Sequence, residues 1–286
     1  MRVLIATVTA GGGHLAAAAA LEEVWRVLRP GDILEKVDLI KFFSPLHRKI
    51  HEDGYLKLVE RAPELWGMLF KKTDDPKRAQ RLNKLKRVFP SNSRAKFTRQ
   101  IKHFRPDVVL CTHYLPLDAL AGLKDHRARH ARQRSGDSCE GMPFVASIVT
   151  DFEAHALWME ECVDLYCVAA EETKARLVAR GADPAKVLAT GIPISTRFSA
   201  TIDPKAVRKT LGIRDDLPVL LVLSGGFGMG PVAEIMDALD KTPGEFQTVV
   251  VTGRNEELRR ALASGDRKHP SRVLGYASNM HELMAI

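Results

Sequence analysis

Gly11-Gly12-Gly13-His14 sits where an apolar run, Val3 to Val8, gives way to an alanine-rich helical pattern that begins near Leu15. Glycines at such a junction let a ligand approach the backbone, and a helix start presents unpaired N–H groups to negative or polar oxygen. His14 adds an imidazole, the side chain most easily poised as a general base near neutral pH. A tight strand-to-helix connection with a hydrogen-bonded histidine is the structural alternative. A second glycine-rich stretch, Ser224-Gly225-Gly226-Phe227-Gly228-Met229-Gly230-Pro231, follows the apolar run ending at Leu223 and precedes another helical pattern. Its small residues and N–H groups suit a diphosphate, with the helix dipole favouring the negative charge. No Gly-Lys-Ser/Thr follows, so it is not a P-loop, and neither turn fits the dinucleotide fingerprint.

Three further groups end apolar runs. Thr150-Asp151-Phe152 leads to His155 and Trp158, and Asp151 there either orients His14 or a substrate hydroxyl, or caps a helix. Cys111-Thr112-His113-Tyr114 places His113 where it reaches the same ligand or simply packs. In Thr252-Gly253-Arg254-Asn255, Arg254 pairs with a phosphate or holds a surface carboxylate. No Asp-x-Asp cluster accompanies these motifs, so metal-independent chemistry is expected. The cysteines, Cys111, Cys139, Cys162 and Cys167, lack zinc-type spacing and read as reduced thiols or core residues.

The elements that must position these groups are short apolar runs alternating with helical patterns, the mark of parallel sheets with crossover helices. Candidate strands are Val3 to Val8, Ile33 to Leu39, Val108 to Thr112, Phe144 to Thr150, Leu165 to Ala169 and Val187 to Thr190. A second series has strands at Val219 to Leu223, Gln247 to Val251 and Arg272 to Leu274. Helices are expected at Pro204 to Leu211, Val232 to Leu239, Glu256 to Ala263 and Asn279 to Leu283, and an exposed loop at Arg127 to Gly141. These give two α/β domains, residues 1–198 and 199–286, facing a cleft, the second ending part-way through its series. No run of about eighteen apolar residues spans a membrane, and the chain enters a strand at Val3 without an export pattern, which predicts a cytoplasmic protein.

Charge is unevenly placed. Residues 41–105 carry 18 Lys/Arg against 6 Asp/Glu, an excess of +12 where the whole chain has +8, leaving the remainder acidic. Phe42, Phe43, Tyr55, Leu65, Trp66, Met68, Leu69 and Phe70 are interleaved with those cations. Such a mixture suits an anionic membrane surface, each basic residue contributing about 1 kcal/mol there. A solvated helical face over an ordinary core is the alternative, and no nucleic-acid motif accompanies the charge.

Taken together and in order, Thr9-Ala10-Gly11-Gly12-Gly13-His14, Tyr55 with Pro63-Glu64-Leu65-Trp66, Thr112-His113, Val149-Thr150-Asp151-Phe152, Gly191-Ile192-Pro193, the 224–231 stretch, Gly253-Arg254-Asn255 and Gly275-Tyr276 resemble a glycosyltransferase family. It is that of the monogalactosyldiacylglycerol synthases and processive diacylglycerol glucosyltransferases, glycosyltransferase family 28-like. The resemblance implies a GT-B fold of two Rossmann-like domains, inversion at the anomeric carbon, and no cofactor beyond the substrate itself. The donor it implies is UDP-glucose or UDP-galactose, held by Ser224, Gly225, Gly226, Gly228, Met229, Gly230, Arg254 and Asn255. Diacylglycerol is the implied acceptor, near Gly11, Gly12, Gly13, His113 and Trp66, with His14 and Asp151 catalytic and the protein peripheral on the inner membrane face. Where some relatives carry an arginine after Gly-x-Pro-x, this chain has Ser195, and the family's later donor elements lie beyond Ile286. A truncated, inactive membrane-associating module and a soluble UDP-sugar enzyme such as an epimerase are the competing readings.

Overall fold

The computed structural model describes residues 1–9, 12–45, 48, 64, 67, 91–133 and 142–286, which form two compact units, Met1–Thr196 and Arg197–Ile286. Gly11, Tyr55, Trp66 and most of the basic 41–105 segment lie outside the described residues.

In the first unit the described strands are β1 (Arg2–Thr7), β2 (Ile33–Asp38), β3 (Val108–Cys111), β4 (Phe144–Ile148), β5 (Leu165–Val168) and β6 (Val187–Ala189). They form one parallel sheet in the order β2-β1-β3-β4-β5-β6. A central parallel strand is covered on both faces, so it is apolar throughout rather than alternating. β1 follows this rule: Val3, Leu4, Ile5 and Ala6 are fully buried. Val3 and Ile5 pack on Ala18, Leu21 and Trp25 of helix α1 (Gly12–Leu28). Leu4, Ala6 and Val8 face the opposite way, into a cluster with Phe97 and Ile101 of α2 (Ser91–Phe104), Leu115 and Leu120 of α3 (Tyr114–Gln133), and Trp158. Burial of each such aliphatic or aromatic side chain contributes about 1.5–3 kcal/mol. Helix α4 (Glu171–Ala179) joins β5 to β6.

Two features differ from the sequence expectation. Helix α1 starts at Gly12 rather than near Leu15, so Gly12 and Gly13 are its first turn and not a loop before it. Glycine's helix penalty falls mainly on helix interiors, which makes the first turn tolerant. Helix α3 runs to Gln133, through residues expected to be loop, because nothing before Ser135-Gly136 breaks it.

The second unit contains α5 (Pro204–Leu211), β7 (Val219–Leu223), α6 (Val232–Lys241), β8 (Gln247–Val251), α7 (Glu256–Ala263), β9 (Ser271–Leu274) and the short α8 (Met280–Leu283). Asp203 caps α5 by accepting the Lys205 N–H at 3.0 Å, and Pro204 stands at its first position. The strands form a parallel sheet in the order β7-β8-β9. β8 is buried along its whole length, and its Val250 packs with Val232, Met236 and Leu262. β7 lies at an edge of this sheet, with Leu220 and Leu223 exposed. Among the described residues no helix is long and apolar enough to cross a membrane. Cys111, Cys162 and Cys167 are free thiols, and burial raises the Cys111 pKa well above its ordinary value; Cys139 is outside the described residues.

Candidate functional site

From β1 the chain crosses by α1 to β2 on one side, while β3 pairs on the other side of β1. Such a reversal opens a crevice at the carboxyl ends of the two central strands, the place where open α/β sheets bind ligands. His14 follows β1 and Thr112-His113 follows β3, so both motifs converge there. Their convergence depends on the strand register: Ala6 pairs with Cys111, and the Thr112 N–H donates to the Ala6 carbonyl at 3.1 Å.

Three threonines at this sheet edge build the setting of His14. Thr7 and Thr112 hydroxyls lie 3.3 and 3.1 Å from the His14 carbonyl oxygen, and 2.9 Å from each other. They anchor the backbone at the start of α1, at about 1 kcal/mol per bond. The ring is held separately. His14 Nδ1 is 2.8 Å from the Thr112 carbonyl oxygen and 2.8 Å from Thr150 Oγ1. Thr150 has this reach because β4 ends at Ile148, two residues short of the expected strand end.

Around the imidazole stands an aromatic wall. The His113 ring meets it edge-on with centroids 4.6 Å apart, and Trp158 lies at 6.3 Å. His113 is buried and its Nδ1 accepts the Leu115 N–H at 3.1 Å, capping α3; it packs against His14. Asp151 accepts the Trp158 indole N–H at 2.8 Å and acts on His14 through charge, not through a hydrogen bond. The capping role open to Asp151 falls instead to His155, which accepts the Leu157 N–H at the turn Ala156–Trp158. Burial lowers the His14 pKa below its usual value, opposed by the nearby Asp151 carboxylate and the Thr112 carbonyl. At neutral pH His14 is therefore an uncharged, half-buried base.

Gly12 and Gly13 are exposed, and a methyl group added at either would meet nothing within 4 Å. Their smallness leaves open space over the first turn of α1 rather than relieving a clash inside the protein. A cavity of about 650 Å³, lined by Ile101, Arg105 and Met142 among others, opens at the amino ends of β3 and β4, the edge opposite His14.

In the second unit the glycine turn and the 252–255 loop interlock. A Cβ on Gly228, whose φ is +68°, would lie 2.1 Å from the Thr252 carbonyl oxygen, and one on Gly253, φ +60°, 2.4 Å from that of Gly225. The Arg254 N–H donates to the Gly226 carbonyl at 3.1 Å. Asn255 is engaged at both ends: Nδ2 donates to the Gly228 carbonyl at 3.0 Å, and Oδ1 accepts the Leu258 N–H at 2.9 Å as the cap of α7. Ser224 Oγ donates to the Val251 carbonyl at 2.9 Å. Exposed residues here include Gly225, Gly226, Gly230, the Phe227 and Met229 side chains, and Arg254, whose guanidinium lies 5.6 Å from the ring centroid of exposed Tyr276. Thus Ser224 and Asn255 hold the loops together, while the turn offers a ligand mostly backbone.

Sequence reading passed over three contributors: Thr7, the ring contact of Thr150 and the carbonyl of Thr112. The available signal was a threonine at or just past the end of each of three neighbouring strands. It also passed over Glu23 on α1, whose carboxylate accepts the Ser195 hydroxyl at 2.9 Å and bonds the Thr196 hydroxyl.

Two parallel α/β units with glycine turns after their leading strands define a GT-B type of fold. Solved structures of that kind align over all of this chain. They include Anabaena HepE in complex with UDP-glucose, at 12% identity, TM-score 0.55 and 71% of that chain. Another is UDP-GlcNAc 2-epimerase from Neisseria meningitidis bound to UDP-GlcNAc, at 15% identity, TM-score 0.52 and 76% of that chain. At these identities the likeness concerns the fold. Residues 14–194 match the family model of monogalactosyldiacylglycerol (MGDG) synthase, and the chain belongs to that family. Among curated relatives, processive diacylglycerol beta-glucosyltransferases of Bacillus cereus and Bacillus anthracis are 28% and 29% identical over 291 aligned residues. Those alignments cover the whole of this chain and 69% of each relative.

Proposed function

We propose that this protein is an inverting hexosyltransferase that moves glucose or galactose from a UDP-sugar to the free hydroxyl of diacylglycerol. The observation that carries the reading is the placement of His14 at the carboxyl edge of a sheet, its Nδ1 2.8 Å from both the Thr112 carbonyl and the Thr150 hydroxyl, in a chain all of which aligns with diacylglycerol glucosyltransferases. His14 takes the hydroxyl proton as the acceptor oxygen bonds to the anomeric carbon. The bond from that carbon to the diphosphate breaks, and UDP leaves with the electron pair. Asp151 favours the imidazolium through its charge, and Gly12 and Gly13 leave room for the acceptor.

The donor diphosphate is assigned to the backbone of Gly225, Gly226 and Gly230, and Arg254 supplies an exposed positive charge. Ser224, Gly228 and Asn255 serve by shaping that turn. The cationic excess of residues 41–105 supports a peripheral place on an anionic, cytoplasmic membrane face, while Phe42 and Phe43, read from the sequence as part of that mixture, pack in the core with Phe97.

The test is transfer of labelled hexose from UDP-glucose and UDP-galactose to diacylglycerol in anionic vesicles, with the His14→Ala variant beside the natural chain. General-base loss lowers turnover by about 10²- to 10⁴-fold. Turnover near the original rate would remove His14 from the chemistry, and vesicle binding with no transfer by the natural chain would favour a membrane-associating module.

A further inference from the structure

We propose that the Thr112 carbonyl and the Thr150 hydroxyl hold His14 in the tautomer with its proton on Nδ1, making Nε2 the proton acceptor and Thr150 a positioning residue. The inference rests on the transferase reading only for its catalytic consequence; the tautomer itself follows from the geometry. A carbonyl oxygen can only accept a hydrogen bond. With the proton on Nε2, the Nδ1 lone pair would face the Thr112 oxygen lone pairs at 2.8 Å, a repulsive contact in a half-buried place. With the proton on Nδ1, the same distance is a good hydrogen bond. Thr150 Oγ1, also 2.8 Å from Nδ1, then accepts a share of that N–H.

The assignment has a chemical consequence. When Nε2 takes a proton the ring becomes an imidazolium, and its Nδ1–H turns into a charge-assisted donor to both oxygens. The two acceptors therefore stabilise the form that exists after proton transfer more than the form before it. That is the differential interaction from which catalysis comes. The other groups facing the ring are the Asp151 carboxylate, which also favours the charged form, and the buried His113 ring, whose Nδ1 is committed to the Leu115 N–H. Burial works against them and keeps the resting ring uncharged. Thr150 is then more than packing: its hydroxyl tunes the base without touching substrate.

The experiment is a long-range ¹H–¹⁵N correlation titration of the histidine rings in the natural chain between pH 5 and 9, with His14 assigned by its loss in His14→Asn. Above its midpoint, His14 is expected to show a protonated Nδ1 and a bare Nε2. Thr150→Val, which keeps shape and removes the hydroxyl, is expected to lower the midpoint by about one unit, a tenfold loss of imidazolium stability. Thr150→Ser restores it. In the transfer assay, Thr150→Val lowers kcat about 3- to 10-fold with KM for UDP-sugar unchanged. A proton found on Nε2, or a midpoint indifferent to Thr150→Val in a variant with native amide dispersion, overturns the proposal. The expected tautomer and midpoint shift in a chain that transfers no hexose uphold the positioning role of Thr150 and overturn the transferase reading instead.

Discussion

Both units place glycines between a strand and a helix, yet they use them in opposite ways. At the start of α1 a methyl added to Gly12 or Gly13 would touch nothing, and the groups around the His14 ring are gathered from neighbouring strand ends: the Thr112 carbonyl, the Thr150 hydroxyl and, through charge, Asp151. In the 224–230 turn two loops pass so close that Gly228 and Gly253 leave no space for a Cβ, and the polar side chains Ser224 and Asn255 are consumed by the fold. The first turn exposes a titratable group and the second exposes peptide. A proton has to be taken at a defined atom, whereas a diphosphate can be met by any set of converging N–H groups.

The contrast is sharpest under substitution. Gly228→Ala introduces both a left-handed alanine and a 2.1 Å overlap with a backbone oxygen, and is expected to destabilise the second unit by about 2–4 kcal/mol. Trp25 and Trp158 lie in the first unit, and the sequence of the second unit, residues 197–286, contains no tryptophan. Denaturant unfolding followed by circular dichroism should thus gain an early phase while the tryptophan fluorescence transition stays in place. Coincident early shifts in both signals would contradict the separation.

Asn255→Ala removes the cap of α7 and the bond to Gly228 together, an expected loss of about 1–2 kcal/mol in the same early phase. Asn255→Ser retains a cap and should recover part of it. Full stability in Asn255→Ala would show that this amide is not structural and return it to the donor.

Gly12→Ala should leave stability unchanged or raise it by at most about 0.5 kcal/mol, since the position has open space but lies in the first turn, where glycine's helix penalty is small. Its transfer rate should nonetheless fall, because the added methyl occupies the approach of the acceptor. An unchanged KM for diacylglycerol would mean that the space over α1 serves no ligand. Gly228→Ala and Gly12→Ala together separate a glycine kept for the fold from one kept for a visitor.

The strands were readable from their runs of aliphatic and β-branched residues: Val219 to Leu223 and Gln247 to Val251 are β7 and β8 to the residue, although β8 is buried throughout and β7 lies at an edge with Leu220 and Leu223 exposed. Helix ends were less so. The start of α1 is fastened by Thr7 and Thr112, tertiary partners that no local pattern displays. His14 stood out by residue type and place, but its ring contacts came from residues 98 and 136 positions away. Asn255, by contrast, carried a local signal in Glu256 and Glu257, the acidic first turn of a capped helix, which points to structure before ligand.

Glu23 gives α1 a second duty. From His14 at one end, nine residues of helix rise about 13 Å to a carboxylate that grips Ser195 and Thr196, the last residues of the first unit. A rigid rod thus carries the base at its tip and, further along, a clasp on the strand of chain that leaves the unit. The two hydroxyls tie the departing chain to the same helix that carries the base.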